Sequence, residues 1–92
     1  MFFLVCFDIS DDRIRYRAVK VIKGYGKRVQ KSVFECGGLS EERFLKMKHA
    51  LDDLIDHGTD SVRYYQLCRG CLHKIEYSGI GQIPDNEVFR VV

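Results

Sequence analysis

The chain has no long apolar run. The run Phe2-Phe3-Leu4-Val5-Cys6-Phe7 is six residues, seven with Met1, and meets Asp8 at once. A bilayer needs about 20 such residues, so a transmembrane helix is excluded there. No basic stretch precedes the run and no small-residue cleavage site follows it. A secretory leader is therefore not expected, no membrane partner is implied, and the protein is read as cytoplasmic. Repeats, low-complexity tracts and linkers are absent, so the 92 residues read as one domain. No glycine-rich phosphate loop occurs. His49, His57 and His73 have no partner at catalytic or ligand spacing, and Ser32 has no adjacent base, which removes nucleophile–base pairs from consideration. Cys68-Arg69-Gly70-Cys71 has the spacing of a redox or zinc pair. Two further zinc ligands are missing, and the pair falls between two strand-like segments rather than opening a helix. It is read as small residues in a tight turn. Finally, there is no acid at all between Arg13 and Phe34.

What is present fits a soluble α+β domain: 46% hydrophobic and 30% charged residues, with a net charge of only +2. A chain this short buries roughly 60–65% of its unfolded surface, so help from oligomerisation is expected. The acid-free stretch holds Arg13, Arg15, Arg17, Lys20, Lys23, Lys27, Arg28 and Lys31, a local basic footprint that the whole-chain charge conceals. Its two readings are a solvated helix face and a phosphate-binding surface.

Residues 2–8 read as a buried strand. Ser10 is the expected cap of a helix whose apolar stripe is Ile14, Ala18, Val21, Ile22 and Tyr25, ended by Gly24 and Gly26. Arg13, Arg17 and Lys20 fall on the opposite side. Residues 27–36 alternate and read as a second strand. Ser40 caps a second helix with the stripe Phe44, Met47, Leu51, Leu54 and Ile55, closed by Gly58. Asp52, Asp53 and Asp56 oppose its dipole, which suggests solubility or a partner. Strands follow at 61–68 and 72–78, joined by an Arg69-Gly70 turn. The order is taken as strand, helix, strand, strand, helix, strand, a ferredoxin-like antiparallel sheet with both helices on one face. Residues 1–78 form that domain. Residues 79–92 form an extension whose last strand, 87–92, is expected to pair with the sheet edge of a second copy.

Asp8 is the leading candidate for chemistry. A carboxylate directly after six apolar residues costs free energy unless something pairs with it. It reads either as a ligand for a hard cation, Mg²⁺ or Mn²⁺, or as a turn-forming aspartate bonded to backbone amides. One carboxylate is a poor metal site, and a two-fold dimer would bring a second Asp8 opposite the first. Tyr64, Tyr65 and Tyr77 either stack on bases or pack in the core or an interface.

The string Val5-Cys6-Phe7-Asp8-Ile9-Ser10-Asp11-Asp12, then Arg15, Gly24-Tyr25-Gly26 and Val29-Gln30-Lys31-Ser32-Val33-Phe34-Glu35-Cys36, resembles the CRISPR-associated adaptation family Cas-two (Cas2). The resemblance covers nearly the whole chain in length and element order, and its specific part is the first 36 residues. It implies a ferredoxin-like homodimer in which the C-terminal strand joins the partner's sheet. It also implies one Mg²⁺ bound by the two Asp8 carboxylates, in proteins described as metal-dependent endoribonucleases or duplex-DNA nucleases, and assembly with a larger adaptation integrase. Arg13, Arg15, Arg17, Lys20, Lys27, Arg28 and Lys31 would then hold RNA or duplex DNA, and Phe7, Ser32 and Phe34 would shape the site. Phe7 departs from the tyrosine usual in the family. Beside this nuclease stand two alternatives: a non-catalytic scaffold of the integrase complex and a toxin-like ribonuclease of related fold.

Overall fold

A computed structural model describes residues 1–76, 78 and 79. Tyr77 and the strand expected at 87–92 lie outside the described residues, as does most of the extension. The elements are β1 (Phe2–Asp8), α1 (Asp12–Lys23), β2 (Lys27–Gln30), β3 (Val33–Cys36), α2 (Glu41–Leu54), β4 (Ser61–Leu67) and a single turn of helix, α3 (Arg69–Leu72). The sheet order is β2-β3-β1-β4, with every neighbouring pair antiparallel. Strand β1 is thus central, and the two βαβ crossovers place both helices on one face, as right-handed connections require. The expected ferredoxin-like sheet is present.

The expected order is realised by different elements. Residues 27–36 are a hairpin of two strands rather than one, with a register shift between Arg28 and Gln30. Arg28 closes its turn, donating from Nε and Nη2 to the Lys31 carbonyl at 3.1 and 2.5 Å. The strand expected from residue 72 is absent among the described residues, where α3 and a turn stand instead.

Alternation along β1 sorts its side chains. Phe3, Val5 and Phe7 join Phe34, Cys36, Ala18, Ile22, Met47 and Leu51 in the core beneath the helices. Burying each large apolar side chain contributes roughly 1.5–3 kcal/mol. Phe3 stacks on Phe44 at 4.1 Å, and Phe44 meets Tyr64 edge-on at 5.4 Å. Tyr64 therefore packs against the core, its pKa pushed up by burial, and is not offered to bases. Leu4 and Cys6 face the other way, onto a sheet surface that neither α1 nor α2 covers, and are half-buried there.

Caps set the helix ends. Asp11, not Ser10, caps α1, its carboxylate accepting from the N–H groups of Arg13 (2.8 Å) and Ile14 (3.0 Å). Ser40 caps α2 as expected. That helix ends at Leu54, short of Gly58, and its late acids have local partners. Asp52 pairs with Lys48 at 3.1 Å, Asp53 lies 3.3 Å from His49, and Asp56 accepts the Gly58 N–H at 2.9 Å. Arg43 ties the helices together: it lies over the Tyr25 ring at 4.9 Å and donates to the Gly24 carbonyl at 3.1 Å.

Candidate metal and nucleic-acid site

Asp8 ends β1 opposite Ser61 of β4, on the sheet face opposite α1 and α2. It is exposed, and its carboxylate takes part in no hydrogen bond or ion pair among the described residues. The turn-forming role is filled three residues later by Asp11. The main chain on both sides of Asp8 is fixed. Before it, the Phe7 N–H donates to the Ser32 carbonyl at 3.1 Å. After it, Ile9 is buried, and its carbonyl accepts from Arg15 Nη1 at 2.9 Å, while Arg15 Nη2 holds the Asp12 carboxylate. Ser10 is bound by Asp60 through its N–H (3.3 Å) and hydroxyl (3.4 Å). Asp60 also accepts from the Asp56 N–H at 3.0 Å, the main cause of a pKa below the ordinary carboxylate range. The result is an unpaired carboxylate on a braced turn.

Around it the open face carries Leu4, Cys6, Val33, Glu35, Arg63, Tyr65 and Leu67 by register. Burial raises the Glu35 pKa, partly opposed by Lys27. A hydrogen bond with Tyr65 raises that of Arg63. Tyr65 is 47% exposed.

The other expected site residues separate into groups. Phe7 and Phe34 turn into the core, with rings 6.3 Å apart. They support β1 from the helix side and do not line the surface beside Asp8. Ser32 acts through its carbonyl, at the Phe7 N–H. Arg15 and Arg28 are engaged by main-chain carbonyls. Lys27 lies across from Glu35. Arg13, Arg17, Lys20 and Lys31 are exposed, with Lys20 Nζ 5.1 Å over the Tyr16 ring. Sequence reading missed Asp60, whose partner Ser10 is 50 residues away, and Arg63, whose place on the open face follows only from register.

A magnesium site needs several oxygen ligands. No group of three His, Cys, Asp or Glu able to hold a metal occurs among the described residues. The donor chemistry of Asp8 fits Mg²⁺ or Mn²⁺, but one copy supplies a single ligand. No helix among the described residues is long and apolar enough to cross a membrane.

Comparison with known proteins agrees with this architecture. A CRISPR-associated endoribonuclease Cas2 of Chloroflexus aurantiacus is 41% identical over 86 residues, covering 92% of this chain and 91% of the relative. A crystal structure of Streptococcus pyogenes Cas2 superposes with a TM-score of 0.75 at 34% identity, covering 86% of this chain and all of that one. A chain in a partial Cas6-RT-Cas1–Cas2 complex shares the fold, with a TM-score of 0.71 at 23% identity over 83% of this chain and 88% of that one. Residues 1–75 match the family model described as CRISPR associated protein Cas2. The chain belongs to the Cas2 family.

Proposed function

We propose that the protein acts as a homodimer in CRISPR adaptation and hydrolyses phosphodiester bonds of RNA or duplex DNA with Mg²⁺, or Mn²⁺ in its place. The observation that carries this is Asp8, an exposed and unpaired carboxylate on a turn braced by Arg15 and Asp60. Such a group gains nothing for the fold where it stands. The Asp8 carboxylates of two copies would hold the ion, with water and phosphate oxygens completing its shell. When bound, the ion supplies a Lewis acid that stabilises charge on the phosphate and makes water a better nucleophile. The chain's own contribution is placement: fixing Ile9 and Ser10 lowers the entropy lost in holding Asp8 in register. The endoribonuclease name of the Chloroflexus relative supports this reading.

Purified Asp8→Asn is expected to lose metal-dependent cleavage of RNA and duplex DNA to background, with unfolding free energy within about 0.5 kcal/mol of the parent. Cleavage that survives the change in a stably folded protein rules Asp8 out as the catalytic ligand.

A second reading, a DNA-holding scaffold for the adaptation integrase, is favoured by a separate observation. Arg13, Arg17 and Lys20 look outward from the helix layer, whereas Asp8 looks out from the opposite, sheet side. The basic surface can therefore grip a phosphate backbone without presenting it to Asp8. The Cas1 in the complex that shares this fold is the partner type this reading assigns. Under it, Asp8→Asn leaves spacer acquisition in cells intact, and neutralising the three basic residues stops it.

A further inference from the structure

The Cys68-Arg69-Gly70-Cys71 segment differs from the turn between two strands that its sequence suggests. Cys68 directly precedes α3 and Cys71 lies within it. The two Sγ atoms are 3.4 Å apart, both residues are exposed, and neither sulfur is in a disulfide. No metal-binding cluster forms around them among the described residues. The observation is a juxtaposition of two accessible sulfurs, which the proposed nuclease and scaffold roles leave unused.

We propose that Cys68 and Cys71 are a redox-active dithiol that closes reversibly into an intrachain disulfide by exchange with a low-molecular-weight disulfide such as oxidised glutathione. The sulfurs need approach by only about 1.4 Å to reach bonding distance. Cys68 is the attacking sulfur. Hydrogen bonds from the Cys71 backbone N–H, then from the Cys71 side chain and the Gly70 N–H, favour its thiolate and hold its pKa below the ordinary thiol range. The Cys68 thiolate attacks one sulfur of the small disulfide, forming a mixed disulfide and releasing one thiolate. Cys71 then loses its proton to solvent and attacks Cys68 Sγ, releasing the second small thiolate. Two electrons pass from the protein pair to the small disulfide, and the two protons end on the two released thiols. Cys36 is excluded from this chemistry, being fully buried with its thiol pushed up to about 11.

The pair is distinct from the Asp8 site. It follows Leu67, which is paired with Phe2, whereas Asp8 stands at the other end of β1. Oxidation is therefore readable without any nuclease assay.

The test equilibrates the full chain in buffers of reduced and oxidised glutathione, quenches with acid, alkylates free thiols and weighs the peptide containing both cysteines. The expected result is loss of two hydrogens from that peptide as the buffer becomes oxidising, with full reversal by dithiothreitol. Cys71→Ser is expected to accumulate a glutathione adduct on Cys68. Cys68→Ser is expected to form its adduct on Cys71 about tenfold more slowly. Two results overturn the proposal: both thiols remaining alkylatable in excess oxidised glutathione, or protein purified with stoichiometric zinc that is lost in Cys68→Ser and shields the pair from exchange. Equal adduct rates in the two single variants overturn the assignment of Cys68 as the attacking sulfur. Because both cysteines are exposed, the serine variants should keep the parent's far-ultraviolet circular dichroism, which checks that they fold.

Discussion

Gly26 is a glycine whose replacement backbone packing resists. A Cβ built there would lie 2.5 Å from the Glu35 carbonyl oxygen and 2.8 Å from Cys36 Cα, and closer still to Cys36 Sγ. Two of those atoms are main chain of a strand held on both sides, so neither can yield cheaply. Gly38 presents the opposite case, with φ +66 and nothing within 4 Å of an added Cβ. Gly26→Ala should therefore lower unfolding free energy by about 3 kcal/mol through overpacking. Gly38→Ala should cost only about 1–2 kcal/mol, through its left-handed backbone alone. Urea midpoints of the two variants check the order, and equal losses would mean that β3 moves aside. The sequence marks Gly24-Tyr25-Gly26 as a helix stop, and Gly24 is the C-cap. It cannot mark the close approach of β3, because nothing local to Gly26 encodes Cys36. The same limit applies at the site. Asp8 is conspicuous from its own neighbours, while the Asp60 that braces Ser10 becomes visible only when the chain folds back.

Among the elements, legibility follows how local the signal is. The long amphipathic helices and β1 carry their periodicity openly and lie where expected. The β2–β3 hairpin was hidden because alternation continues through Lys31-Ser32, which holds no glycine, proline or asparagine to announce a turn. The turn is closed instead by the Arg28 side chain on the Lys31 carbonyl, a contact that composition does not show. That finding also divides the basic stretch. Arg15 and Arg28 hold carbonyls, whereas Arg13, Arg17 and Lys20 project from α1 into solvent. If α1 holds duplex DNA, each phosphate neutralised adds about −0.9 to the slope of log affinity against log salt. The triple change Arg13→Gln, Arg17→Gln, Lys20→Gln should then reduce that slope in magnitude by about 2–3, measured by fluorescence anisotropy across a salt series. Arg15→Gln should leave the slope nearly unchanged and lower thermal stability instead, since it frees the Ile9 carbonyl. An unchanged slope in the triple variant would remove α1 from the DNA surface.

At the scale of the whole molecule, the sheet face opposite α1 and α2 gives a reason for a small chain to need a second copy. Two strands of seven residues and two of four, spaced about 4.8 Å apart, present an area of roughly 360 Å². A stable interface buries about 800 Å² per partner, so this face alone falls short and further residues must contribute. The C-terminal strand expected at 87–92 is the segment whose sequence suits that role. Half-buried Leu4, Cys6 and Val33 and exposed Tyr65 lie on the open face, beside Asp8 at its end. A dimer closed over this face with its two-fold axis beside Asp8 would bring the two carboxylates together, so assembly and metal-dependent cleavage should fail together. Val33→Lys places a charge opposite Cys6 on that face, at the turn end of β3 and away from the outer side of α1. In sedimentation at micromolar concentration the parent should run as a dimer, with a melting temperature that rises with concentration. Val33→Lys should run as a folded monomer whose melting temperature is independent of concentration. It should lose cleavage while each chain keeps the salt-dependent DNA contacts of α1. Cleavage by a demonstrated Val33→Lys monomer would show that one Asp8 suffices, and the pairing of carboxylates would then be wrong.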